Sequence, residues 1–211
     1  MIGGKATDGP VSRYINRKIS TRITSFIVRH GISITPNQVS LASFLLAVLG
    51  GAAFYRGLEV LGGILVELAS IVDGVDGELA RARGIASPLG GFMDAILDRF
   101  ADAAVIAGIA AGAYRVAGFY ALVVGLAALL GDLMVSYLHA RGEASLGVHP
   151  SRIGRIPMFA SRDVRLFIVF VGGLLGAAFA ALYVVAAVSL LYVILKSVEV
   201  YVVMSSRRGG P

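Results

Sequence analysis

The stretch Asp73–Asp98, DGVDGELARARGIASPLGGFMDAILD, sets four aspartates into a strongly apolar chain. Its fixed points read Asp73-x2-Asp76-Gly77-x2-Ala80-Arg81-x8-Gly90-x3-Asp94-x3-Asp98. A helix advances about 100° per residue, so Asp73, Asp76, Gly77, Ala80 and Arg81 fall within an arc of roughly 140°. On the next helix Gly90, Asp94 and Asp98 fall within roughly 80°. Glu78 lies off the first arc and is not counted as a ligand. Two such helices, facing each other, would present four carboxylates across a gap lined with glycine and alanine.

Carboxylates in a membrane segment are costly and seldom persist without a partner or a function. Four that converge repel one another unless cations sit between them. The segment has no Cys and no His, so hard divalent cations with oxygen ligands fit best, Mg²⁺ or Mn²⁺. Two such ions held between helices suit displacement at phosphorus. Gly77, Ala80 and Gly90 leave room beside the backbone for a flat base or a pyrophosphate.

Composition places this stretch in a membrane. Hydrophobic residues make up 57% of the 211, charged residues only 15%, and the mean hydropathy is +0.82. A soluble domain carries about 25% charge. The chain has no cysteine, which excludes disulfides and thiolate metal sites. The net charge of +6 is spread along the chain rather than gathered on one face, so nucleic acid is not an expected partner.

Outward from the aspartates, apolar runs fall at Val39–Tyr55, Leu58–Val72, Phe92–Ala113, Val116–Leu138, Val164–Ala178 and Leu182–Met204. The last two are nearly continuous, and together they exceed the roughly 20 residues of one span, so they split near Gly176–Ala181. The expected fold is all-α: a polytopic membrane protein with six transmembrane helices over residues 36–204. Residues 1–35 form an amphipathic segment, basic through Lys5, Arg13, Arg17, Lys18, Arg22 and Arg29 against Asp8. Ile15, Ile19, Ile23, Phe26 and Ile27 recur there at helical spacing, which reads as a surface helix on the membrane or as an ordinary solvated helix packed on the protein. Residues 205–211 read as a tail.

Fifteen of nineteen Lys and Arg fall on one side of this layout. The positive-inside rule then puts both termini and the aspartates on the cytoplasmic face of the cell membrane. The loop Arg141–Asp163 shares that side. Arg141, Arg152, Arg155 and, on the last helix, Lys196 are candidates for an acceptor's phosphate, against the alternative of topology charges or snorkelling. Asp102 pairs with Arg99 one turn along, Asp132 can face the site, Glu67 points away from it, and His149 reads as a surface histidine.

All eight fixed positions match the signature of the CDP-alcohol phosphotransferase family, which the chain resembles over nearly its whole length. Thr35-Pro36-Asn37-Gln38-Val39-Ser40 likewise resembles the Pro-Asn element that precedes the family's first span, where it lies near the nucleotide; simple helix capping is the equal alternative. The resemblance implies a membrane enzyme, usually a homodimer, that transfers a phospho-alcohol from a CDP-alcohol to an acceptor hydroxyl and releases CMP. It implies that Asp73, Asp76 and Asp94 hold the metals, that Asp98 completes the site and takes the acceptor's proton, and that Gly77, Ala80, Arg81, Gly90, Asn37 and Ser40 meet the nucleotide. The lead-in DGPVSRYINRKISTRI resembles archaeal members that follow a cytidylyltransferase domain, fused or separate, and make di-myo-inositol phosphate phosphate. The product is therefore a phospholipid or a soluble polyol phosphodiester. Outside this class stands a divalent-cation transporter, against which the clustering of the motif acids at one membrane end counts.

Overall fold

The structure is a computed structural model that describes residues 9–208; Lys5, Asp8 and residues 209–211 lie outside the described residues. Among the described residues the chain is all-helical. A π-helical turn, Ser12–Asn16, leads into α1 (Arg17–Arg29), followed by α2 (Pro36–Tyr55), α3 (Glu59–Ala82), α4 (Pro88–Ala117), α5 (Phe119–Leu146), α6 (Arg162–Leu174) and α7 (Ala178–Arg208). The six apolar runs thus correspond to α2–α7.

Local chemistry sets the helix ends. Thr35 opens α2 with a capping box: its hydroxyl accepts from the Gln38 N–H at 3.3 Å, and the Gln38 amide oxygen accepts from the Thr35 N–H at 2.8 Å. Ser87 caps α4 through the Gly90 N–H at 3.1 Å, with Pro88 in the first turn, so the helix starts ahead of the apolar run that announced it. The break in the last apolar stretch falls at residues 175–177, at the near edge of the expected region. Gly176 takes φ +65° there, the left-handed conformation that ends a helix. Glu59 then accepts from the Ala178 N–H at 2.9 Å and caps α7 from the far end of α3. The region read as a tail begins inside α7, which continues to Arg208.

The helices approach closely through small residues. A Cβ on Gly51 would stand 2.5 Å from the Ala104 carbonyl oxygen, and one on Gly108 would overlap the Gly51 carbonyl. These contacts set α2 against α4. Gly63 and Gly173 do the same for α3 and α6, where a Cβ on Gly63 would meet the Phe170 carbonyl at 2.8 Å. Val66, Val105, Ala128, Leu182 and Val185 fill the core between α3, α4, α5 and α7. Because α2 packs on both α3 and α4, it fixes the separation between the two aspartate-bearing helices.

Three helices are long and apolar enough to cross a membrane: Pro36–Tyr55, Phe119–Leu146 and Ala178–Ser206, with hydropathies of 1.6, 2.0 and 2.5. The aspartates and arginines of α3 and α4 lower the apolarity of those helices. Helix α6, with 13 residues, extends only about 20 Å.

Helix α1 turns its polar side inward. Asn16, Ser20 and Thr24 are buried, whereas Ile15, Ile19, Ile23 and Phe26 are exposed; of the expected apolar stripe only Ile27 enters the protein.

The close approach at Gly108 generates a stability prediction. Gly108→Val should lower the thermal midpoint of detergent-solubilised protein by an amount corresponding to at least about 1–3 kcal/mol, the ordinary cost of overpacking. Gly31→Ala, at a position with nothing within 4 Å of a Cβ but φ +60°, should cost less. Thermal unfolding of both variants checks the order.

Candidate active site

Asp73 and Asp76 come from α3 and Asp94 from α4. One carboxylate oxygen of each lies within 4.8 Å of the other two. The Ser40 hydroxyl of α2 donates to Asp76, and the Ser43 hydroxyl approaches Asp73 at 3.5 Å. All three carboxylates belong to helices held apart by α2, so the cluster is built by the frame rather than by a flexible loop. An all-oxygen donor set of three carboxylates at this separation fits hard divalent cations.

Asp98, one turn past Asp94, stands outside that group of three. Its Oδ1 receives Arg162 Nη1 at 2.8 Å. Arg162, in the first turn of α6, also reaches Asp73 Oδ2 at 3.2 Å and, through Nε, Asp102 Oδ1 at 2.9 Å. Asp102 makes the expected bond to Arg99 as well, at 3.0 Å. One guanidinium therefore ties α3, α4 and α6 together beside the carboxylate cluster.

Two cavities flank the cluster, and Asp94 borders both. The first, about 490 Å³, is lined by Asn37, Ser40, Asp76, Gly77, Ala80, Arg81 and Gly90. The structure thus brings together all six residues read from the sequence as nucleotide contacts. Thr35 and Ser87, at the starts of α2 and α4, also line it. The free N–H groups of helix starts favour negative charge, which suits a pyrophosphate. Ser40 both lines this cavity and bonds Asp76, so its role exceeds capping.

The second cavity, about 310 Å³, is bordered by Asp73, Asp94 and Asp98 and is rich in cations and imidazoles: Arg17, Arg99, Arg162, Arg165, His139 and His149. The four cations singled out in the sequence lie elsewhere. Arg141, Arg152 and Arg155 are exposed and do not border this cavity. Lys196 is fully buried and donates to the Ile153 carbonyl at 2.6 Å, the Ile156 carbonyl at 3.1 Å and Glu199 at 2.7 Å. It neither snorkels nor faces the cavity; it fastens the 150–160 loop to α7. Glu199 assists by accepting from the Arg155 and Ile156 N–H groups.

His149 is only partly exposed, lies against His139 with ring centroids 4.6 Å apart and the planes tilted by 43°, and lines the cavity. Burial pushes its imidazole below the ordinary histidine pKa. His139 in turn bonds the Tyr192 hydroxyl at 2.9 Å. Asp132 faces Arg165 at 2.6 Å, with both side chains 3% exposed, and borders neither cavity. Glu67 is buried away from the cluster. Sequence reasoning passed over Arg17, Arg162, Arg165 and His139. The signal for Arg162 and Arg165 was present: two arginines opening an apolar helix are a functional feature by default.

The family assignment now has its geometry. Residues 33–195 match the CDP-alcohol phosphatidyltransferase family model, and the chain belongs to that family. It is 54% identical over 175 residues to the bifunctional IPC transferase and DIPP synthase of Rubrobacter xylanophilus, covering 83% of this chain and 38% of that protein. It is 37% identical over 158 residues to the archaetidylinositol phosphate synthase of Pyrococcus horikoshii, covering 75% and 79%. The chain thus spans about a third of the length of the bifunctional relatives and most of the archaetidylinositol relative. Its fold is similar to the crystal structure of Mycobacterium tuberculosis phosphatidylinositol phosphate synthase with CDP-DAG bound, with a TM-score of 0.71, 27% identity, and 87% and 94% of the two chains covered. A second crystal structure of that synthase holds manganese and citrate (TM-score 0.69). Membership of that family counts against the cation-transporter alternative.

The separation of Asp98 from the other three aspartates makes a measurable difference. Titration with Mn²⁺, read by electron paramagnetic resonance, should show Asp73→Asn, Asp76→Asn and Asp94→Asn each weakening binding at least about tenfold, the order of a charge-assisted ligand. Asp98→Asn should change it less. Equal losses in all four variants would make Asp98 a fourth ligand.

Proposed function

We propose that the chain transfers a phospho-alcohol from a CDP-alcohol to the hydroxyl of a phosphorylated polyol, an inositol phosphate, with release of CMP. One observation carries this reading: the carboxylate cluster sits between a cavity lined by the nucleotide motif and a cavity lined by arginines and histidines. The first suits cytidine diphosphate. The second, polar and small, suits a compact anionic acceptor better than an apolar lipid. The names of the relatives agree, since they are an archaetidylinositol phosphate synthase, a phosphatidylinositol phosphate synthase and a bifunctional IPC transferase and DIPP synthase.

Asp73, Asp76 and Asp94 would hold divalent cations, Mg²⁺ or Mn²⁺ and two in number. Such ions supply charge neutralisation for the pyrophosphate and the departing CMP. Arg81 steadies a donor phosphate, and Gly77, Ala80 and Gly90 admit the nucleotide against the backbone. Arg17, Arg162 and Arg165 offer guanidinium groups to the acceptor's phosphate. Asp98, oriented by Arg162, takes the proton of the acceptor hydroxyl. The acceptor oxygen then forms its bond to the β-phosphorus as the bond from that phosphorus to the CMP oxygen breaks in line. The negative charge leaves with CMP.

Helices α2–α7 are assigned as six spans, with both termini and the site at the cytoplasmic face. The exposed Ile15, Ile19, Ile23 and Phe26 of α1 then rest in the interface of the same leaflet. The donor is CDP-inositol or a CDP-linked lipid. The 54% identity to a DIPP synthase favours the soluble donor. A CTP-dependent cytidylyltransferase, fused or separate, supplies it.

Release of radiolabelled CMP tests the reading. With myo-inositol phosphate as acceptor, release should exceed that with glycerol 3-phosphate or serine, and a comparison of CDP-inositol with CDP-diacylglycerol identifies the donor. Asp98→Asn should lower kcat by about 10²–10⁴-fold, the usual contribution of general-base catalysis, and leave the donor KM within a few-fold. Preference for glycerol phosphate or serine would overturn the acceptor, and undiminished turnover in Asp98→Asn would overturn the base.

A further inference from the structure

Glu78 stands inside the signature stretch yet faces away from the carboxylate cluster, and its surroundings are unusually complete. Its side chain is fully buried on α3. One oxygen accepts from Arg17 Nη1 at 2.8 Å, the Ser20 hydroxyl at 2.9 Å and the Thr21 hydroxyl at 3.2 Å; the other accepts from the Thr24 hydroxyl at 2.9 Å. All four donors belong to α1. Arg17 adds a second contact to α3, to the Gly74 carbonyl at 3.0 Å. Gly74 permits the approach, since a Cβ there would stand 3.1 Å from Arg17 Nη1 and 3.3 Å from the Ser20 hydroxyl.

The same segment is a wall of the arginine-lined cavity. Asn16, Arg17 and Ser20 face that cavity together with Asp73, Asp98 and Arg162. Apart from Ile27 and its neighbours Val39, Val75 and Leu79, what joins α1 to the bundle is polar, and Glu78 is its centre. Ile15, Ile19, Ile23 and Phe26, on the other side, are exposed.

We propose that Glu78 is a positioning residue: it docks α1 on α3 and so completes the cavity for the acceptor, without touching either substrate. This rests on the functional reading above, in that the second cavity is taken as the acceptor's. Loss of the carboxylate removes a buried counter-charge from beside Arg17 and the shared acceptor of the three hydroxyls. The wall then loosens on the acceptor side, while the nucleotide cavity keeps its full lining.

The chain has no cysteine, which makes paired spin labels specific. Labels at R22C on α1 and V116C at the far end of α4 report the docking of α1 in protein that holds no substrate. In wild type the distance distribution should be narrow. In Glu78→Ala it should broaden, the KM for myo-inositol phosphate should rise at least about tenfold, the order of one charge-assisted contact, and the donor KM should stay within about twofold. Glu78→Gln, which keeps an acceptor oxygen for the hydroxyls, should fall between. If Glu78→Ala fails to insert, Ser20→Ala with Thr24→Val removes two donors from the α1 side and should shift the same two readouts. An unchanged distribution in these variants overturns the proposal, as does a broadened one with unchanged acceptor KM. A wild-type protein that releases no CMP with any acceptor would condemn the functional reading instead, and the distances would still report the docking.

Discussion

Mutual repulsion among carboxylates is the constraint on which this structure depends. Two unit charges 4.8 Å apart repel by about 3 kcal/mol at an effective dielectric near 20. Asp73, Asp76 and Asp94 carry three such pairs, and Asp98 and Asp102 follow along α4. The fold answers with position. Small residues let α2 press against α4, α2 also packs on α3, and Arg162 spans Asp73, Asp98 and Asp102 from a third helix. Of the cluster of three, that guanidinium contacts Asp73; cations and a pyrophosphate are the further counterpart that the functional reading proposes there.

The rest of the bundle serves as support for the two cavities. Lys196 and Glu199 pin the 150–160 loop, which brings Met158 to the smaller cavity and leads into Ser161 and Arg162 there. The Asp132–Arg165 pair is buried behind it and fixes α5 against α6. Such pairs contribute little to net stability, but removing one partner leaves an uncompensated buried charge. Their value here is that they hold charged groups where a mobile substrate can be read.

The sequence was most legible where chemistry and helical period coincide. The spacing of Asp73, Asp76, Gly77, Ala80 and Arg81 is local, so a single rotation per residue groups them, and the structure gathers Asp76, Gly77, Ala80 and Arg81 at one cavity. The helix start at Thr35 was local too, whereas α4 begins at its Ser87 cap, ahead of the apolar run read for it. The lining of the smaller cavity was not legible in the same way. Arg17 and Arg162 meet the motif from 57 and more residues away, and no periodicity reports such a meeting. Loop arginines 141, 152 and 155 drew attention by charge alone, whereas the arginines that border the cavity open helices. In α1 the isoleucines suggested a buried or lipid-facing stripe, but the decisive residues were Ser20 and Thr24, whose small hydroxyls give no hydrophobic signal.

The central claim is that Asp73, Asp76 and Asp94 form one site whose cations hold the donor's pyrophosphate. Calorimetric titration of CDP into the detergent-solubilised protein, with and without Mg²⁺ or Mn²⁺, tests it most directly. The account predicts saturable binding with the cation and its loss on chelation with EDTA. Equal CDP affinity in metal-free buffer would contradict it.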